Sequence, residues 1–166
     1  MYFVARSVPR QAPAATEGRL FYVIRAVDGD TLRLSGGERV RLIGIDTPES
    51  RYNSKLARDS QRSRKDMDTI LDMGREASGF TKKLVEGKRV KLVFDVRKRD
   101  KYGRLLAYVY LEDGTFVNSK IIEEGYAQVM TIPPNVKHVQ TFLKLEREAR
   151  EKGKGLWKNN TENKIF

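Results

Sequence analysis

Two short acidic runs hold the residue types needed for metal-assisted chemistry: Asp28-Gly29-Asp30-Thr31 and Asp46-Thr47-Pro48-Glu49. Carboxylates combined with a hydroxyl or a backbone carbonyl are hard oxygen donors, suited to Ca2+ or Mg2+. Each run taken alone also reads as an ordinary turn, because Asp-Gly and Asp-Thr-Pro are good turn formers. The first joins two strand-like segments and the second ends a third, and consecutive antiparallel strands are neighbours. Asp30 is therefore expected near Asp46 and Thr47. Arg41 lies between Val40 and Leu42 in RVRLIGI, so it leaves one face of a packed strand. There a guanidinium is either a solvated edge residue or the partner of an anion, and phosphate matches its planar fork. Strict alternation places Arg41, Ile43, Ile45, Thr47 and Glu49 on one side, aiming Arg41 and Glu49 at one cleft. Arg104 closes the loop RKRDKYGR, whose lysines, arginines and Tyr102 suit phosphates and a base or sugar face, or simply solvent.

The chain that must position these groups has 166 residues, enough for one domain with its own core. It carries 33 Lys and Arg against 22 Asp and Glu, a formal charge of +11, which favours polyanionic partners. Cysteine is absent, so disulfides and thiolate metal sites are excluded. The single histidine, His138, excludes multi-histidine zinc chemistry and a paired-histidine acid and base; it reads as a helix-start or surface residue. No segment approaches the roughly 20 apolar residues of a membrane span. Residues 1–19, MYFVARSVPRQAPAATEGR, have too short an apolar run for the core of a signal peptide and read as a flexible arm.

From Leu20 onward, β-branched and aromatic residues in short alternating runs predict antiparallel strands over about 20–28, 30–35 and 38–46. Met67, Ile70, Leu71, Ala77, Phe80, Leu84 and Val85 predict a helix within about 50–87, interrupted by Gly74 and capped at Gly87. RVKLVFDV (89–96) and LLAYVYL (105–111) predict two more strands. Val117, Ile121 and Ile122 mark a short helix ending near Gly125, and Val139, Phe142, Leu143 and Ala149 a longer one ending around Gly153 to Gly155. The result is an α+β fold: a five-stranded Greek-key β-barrel of the OB type with three helices, an architecture that commonly binds oligonucleotides. A polar tail over 158–166 is expected to fray.

AVDGDTLRL, RLIGIDTPE, GREASGFTKKLVEG, RDKYGRLLAYVY and GLW occur in the order and approximate spacing of the staphylococcal nuclease (thermonuclease) family, which the chain resembles from about Leu20 to Trp157. The resemblance implies an OB-type barrel and Ca2+-dependent, sugar-nonspecific cleavage of DNA and RNA, leaving 3′-phosphates and 5′-hydroxyls. It also implies roles for single residues. Asp30 and Asp46 would ligate Ca2+ through carboxylates and Thr47 through its backbone carbonyl. Arg41 and Arg104 match the catalytic arginines, and Glu49 the catalytic glutamate. Lys101 and Tyr102 match contacts to a nucleotide phosphate. Single strands are the expected preferred substrate, the protein is expected to be a monomer, and the resemblance favours a secreted or cell-envelope location. The alternative is an OB module that binds nucleic acid or protein without cleaving, which has no need for all of Asp30, Arg41, Asp46, Glu49 and Arg104.

Two departures from the family pattern stand out. Extra residues follow Glu49, and residues 51–65 carry Arg51, Lys55, Arg58, Arg62, Arg64 and Lys65 against Asp59. Arg75 stands where the family has a helix-opening proline, so the first helix is expected to start earlier, near Arg64. The basic run before it is read as a mobile flap that draws polynucleotide towards the site. Further along, AQVMTIPPNVKH puts Thr131 and Pro133 about where tyrosines line the family's nucleotide pocket.

Overall fold

The computed structural model describes residues 18–63, 65–160 and 164–166. Five strands close into a barrel: β1 (Leu20–Ala26), β2 (Thr31–Leu34), β3 (Arg39–Leu42), β5 (Arg89–Val93) and β6 (Leu105–Leu111), in the order β1-β2-β3-β6-β5. Alternation supplies the interior: Phe21 and Val23, Val40 and Leu42, Val90 and Leu92, and Leu105, Ala107 and Val109 all point inward and are buried. The register slips between Val23 and Arg25, so Ala26 rather than Arg25 turns to the core. The pairing of β3 with β6 is parallel, which needs a long crossover. Helices α1 (Ser54–Ser63) and α2 (Met67–Val85) lie in that crossover. Closing β1 onto β5 leaves the barrel without a free edge.

The fold class expected from the sequence is the one found, with differences that bear on the site. The expected third strand over 38–46 is two strands. Gly44 adopts φ +83° and lies under the Phe142 ring, and β4 (Ile45–Asp46) leaves the barrel to pair with β7 (Gln128–Val129). The helix expected to begin before Arg75, near Arg64, begins at Met67, and the insertion adds a separate helix ahead of it. Asp66 caps α2 by accepting from Thr69 N at 2.9 Å and Thr69 Oγ1 at 2.7 Å, which starts a new helix there. Residues 54–63 therefore form α1 by themselves, and with α3 (Val117–Glu123) and α4 (Val139–Glu151) the described residues hold four helices, not three.

A second, smaller core accounts for another difference. Leu56 of α1 packs with Ile70, Leu71 and Ala77 of α2, with Ala149 of α4, and with Leu156 and Trp157. Ile165 and Phe166 join this cluster, so the end of the expected frayed tail is docked instead. Polar composition misled that reading, because two apolar residues at the terminus suffice to anchor it. Of the N-terminal arm, residues 1–17 lie outside the described residues. His138 begins α4 with its ring 4.5 Å from that of Tyr108, as a helix-start residue should.

Candidate active site

The turn entering β2 is held from two sides. Thr81 of α2 donates its hydroxyl to Gly29 O at 2.8 Å, and Leu42 N donates to Asp30 O at 2.9 Å. Asp30 is thereby fixed beside the segment leaving β4, where Thr47 donates to its Oδ2 from both N (3.0 Å) and Oγ1 (3.1 Å). Buried Asn118 sets the turn after β3, donating to Ile43 O at 2.9 Å while accepting from Val109 N at 2.9 Å. Gly74 of α2 then lets the Glu49 carbonyl lie against the helix where any Cβ would overlap it. The glycine that interrupts the helical pattern in the sequence is the surface on which Glu49 rests.

These contacts bring Asp30, Arg41, Asp46, Glu49, Lys101, Tyr102 and Arg104 to the walls of one cleft of about 1140 Å³. Thr47 is buried behind Asp30. Simple alternation does not produce this arrangement, because the chain turns at Gly44 and Ile43 and Ile45 are buried. Arg41 reaches across the turn instead. Its Nη1 donates to Leu42 O (3.0 Å) and Ile45 O (2.8 Å), and its Nη2 lies 3.3 Å from Asp30 Oδ2 and 3.2 Å from Asp46 Oδ1.

Carboxylates crowd the floor of the cleft. Burial and the neighbouring Asp30 push Asp28 up to about 7. Burial and the same neighbour push Asp46 up to about 6. Burial acts on Asp30 in the same direction, but Arg41 and hydrogen bonds to its oxygens outweigh it and hold this carboxyl below its ordinary value. Arg41 is buried too, yet Asp30 and Asp46 keep it firmly charged, above its usual range. Asp30, one of the two aspartates expected from the sequence to meet a cation, is thus held ionised.

Glu49 accepts from Asn53 Nδ2 at 2.6 Å and lies 3.3 Å from Lys55 Nζ. Lys55 also reaches Asp46 Oδ2 (3.5 Å) and Asp59 Oδ2 (2.8 Å). The expected flap is therefore a helix pinned by buried Leu56, with Lys55, Arg58, Asp59 and Arg62 lining the cleft; Arg64 lies outside the described residues. Sequence reasoning treated Lys55 as one cation in a run and gave Asp59 no role. The available signal was their i,i+4 spacing on a helix that starts just after Glu49.

On the opposite wall Asp100 organises the loop that carries Arg104. Its carboxylate accepts from Tyr102 N (2.9 Å), Arg104 N (3.0 Å) and Arg104 Nε (2.7 Å). Lys101 Nζ lies 5.1 Å from the centroid of the exposed Tyr102 ring, and Arg104 Cζ lies 5.4 Å from it. Asp100 too was missed, although an acid four residues before an arginine within a basic loop marks a turn organiser. Met130, Ile132 and Pro133 complete this wall with apolar surface, while Thr131 is not among the lining residues.

Among the described residues, no group of three or more His, Cys, Asp or Glu side chains is arranged to hold a metal ion by itself. The donors present are two buried carboxylates, Asp30 and Asp46, with the Thr47 backbone beside them. A hard divalent ion that keeps waters and substrate phosphate in its shell fits such an open, all-oxygen set, and a softer metal does not.

The family of staphylococcal nuclease homologues matches this chain over residues 39–159. The chain is 36% identical over 151 residues to a thermonuclease of Staphylococcus intermedius, covering 89% of this chain and 82% of that protein. It is 33% identical over 142 residues to a thermonuclease of Staphylococcus hyicus, covering 84% and 76%. It is also 38% identical over 141 residues to the SPbeta prophage-derived endonuclease YokF of Bacillus subtilis, covering 82% of this chain and 43% of that longer protein.

Proposed function

Because the chain belongs to the staphylococcal nuclease family, we propose that it is a Ca2+-dependent, sugar-nonspecific nuclease. It hydrolyses phosphodiester bonds of DNA and RNA and leaves 3′-phosphate and 5′-hydroxyl ends. The observation that carries this reading is the meeting of Asp30, Asp46, Glu49, Arg41 and Arg104 in one cleft of a chain with charge +11. A binding module has no use for that set.

The chemistry follows from the charges. A phosphodiester resists attack because its own negative charge repels nucleophiles. Arg104 on one wall and Arg41 on the floor are the cations that offset this charge as it grows on the phosphoryl oxygens. Glu49 is the group placed to orient a water and accept its proton, since its carboxylate faces the same cleft. Lys101 and Tyr102 contact a neighbouring phosphate and hold the strand in register. Ca2+, held by Asp30, Asp46 and the Thr47 carbonyl, would supply Lewis-acid stabilisation of the same oxygens. The exposed Tyr102 ring and the apolar wall of Met130, Ile132 and Pro133 suit unpaired bases, which supports single strands as the preferred substrate.

Incubation with single-stranded DNA and with RNA, in Ca2+ or in chelator, tests the reading. Cleavage of both that needs Ca2+ and leaves 3′-phosphate ends is the expected result. Strong binding without cleavage in Ca2+ would instead establish the binding module.

A further inference from the structure

Lys55 has no part in the chemistry above, yet its ammonium sits inside the same cleft. Its side chain is 29% exposed, and Nζ lies within 3.5 Å of three carboxylates: Asp46, Glu49 and Asp59. The ring of Phe166, itself buried, lies 5.0 Å away on another side. This placement is anchored, because Leu56 on the next position of α1 is fully buried in the cluster that also holds Phe166. Two of the three carboxylates, Asp46 and Glu49, are residues the nuclease reading needs for metal and for water. The third, Asp59, belongs to α1 itself, one turn from Lys55, so the ammonium can leave the other two without losing it.

We propose that Lys55 is a tethered counter-cation of the metal site, which Ca2+ displaces from Asp46 and Glu49 while Asp59 retains the released ammonium. The inference rests on the Ca2+-dependent reading. A divalent ion on Asp46 claims a carboxylate that both Arg41 and Lys55 contact; Arg41 is also held by the Leu42 and Ile45 carbonyls, whereas the ammonium can withdraw to Asp59. The doubly charged ion is the stronger partner for hard oxygens. An ammonium drawn from Asp46 towards Asp59 would also leave Glu49, whose carboxylate it pairs with at 3.3 Å, free to accept a proton. The insertion after Glu49 thereby sets how tightly the site takes its metal.

Calorimetric titration of the full chain with Ca2+, without nucleic acid, compares the wild type with Lys55→Met and Lys55→Arg. Methionine keeps the apolar stem against Phe166 and removes the charge. Lys55→Met is expected to bind Ca2+ about tenfold tighter, the scale of deleting one partly buried charge contact, and Lys55→Arg to stay close to wild type. A second measurement avoids mutation. Amine-labelling of wild-type protein, read at Lys55 by mass spectrometry, should be faster in Ca2+ than in chelator. Lys55→Met binding no tighter, or labelling unchanged or slowed by Ca2+, would overturn the proposal. If the wild type binds and cleaves while these results fail, only the Lys55 inference falls. A wild type that neither binds Ca2+ nor cleaves in its presence removes the nuclease reading and this inference together.

Discussion

Asp100 grips Arg104 twice, accepting from its backbone N–H at 3.0 Å with one oxygen and from its Nε at 2.7 Å with the other. The bond to Nε fixes the plane of the guanidinium and leaves its two terminal nitrogens for a phosphate. Arg104→Ala should lower kcat by orders of magnitude, because it removes charge stabilisation that matters most in the transition state. Asp100→Ala leaves Arg104 in place but loose, so kcat should fall less, by about 10-fold to 100-fold, with a smaller change in KM. Steady-state kinetics on a short oligonucleotide separate the two. Wild-type turnover in Asp100→Ala would mean that Arg104 needs no such brace.

Gly74→Ala should act against the usual helix rule. In an open helix this change stabilises by about 1 kcal/mol. Here the new methyl would overlap the Glu49 carbonyl and push the backbone of residues 49 and 50 away from α2. Thermal or denaturant unfolding should show a loss of about 1–3 kcal/mol, the cost of overpacking. Turnover should fall with it, since Glu49 moves. A stabilised, fully active variant would show that α2 does not set the position of Glu49.

In chelator, Asp28 and Asp46 should contribute a loss of stability as the pH rises from about 4 to 7. Asp28 and Asp46 have folded values of about 7 and about 6 against 3.8 for an ordinary aspartate. Across that interval these two aspartates bind more protons in the folded chain than in the unfolded one, so their contribution to stability is lost as the pH rises. Asp30 has the opposite sense, and its contribution is lost only as the pH falls below about 4, towards its lowered folded value. Asp28→Asn resembles the protonated acid and can still donate towards Asp30, so the decline should be shallower in that variant. Melting temperatures of both proteins between pH 4.5 and 7.5 make the comparison. Parallel profiles would show that Asp28 titrates normally.

Neutralising Arg58 and Arg62 together should weaken single-strand binding measured in chelator. Both are exposed and line the cleft from α1, one turn apart. If both contact phosphates, the slope of log affinity against log salt should drop by up to about 1.4, at roughly 0.7 per contact. An unchanged slope would leave α1 outside the path of the strand and confine its influence to Lys55.

The sequence alone was enough for the barrel and for several of the charged residues that meet in the cleft. Strand alternation and helical spacing need only near neighbours in the chain, so Val40 and Leu42, or Ile70 and Leu71, announce their inward faces without a partner. The acidic turns at Asp30 and Asp46 were likewise legible, because adjacent antiparallel strands must bring their ends together. What only the tertiary structure decided depends on segments far apart in sequence. The chain turns at Gly44, where a Cβ would meet the Phe142 ring, and Asn118 holds the Ile43 carbonyl beside it. Gly74 serves Glu49, and the terminal Ile165 and Phe166 find the core that Leu56 helps to build. Lys55 shows the limit most clearly. In the sequence it is one cation among many, and only the closure of α1 over the barrel sets its ammonium among carboxylates, because charge acts through space and not along the chain.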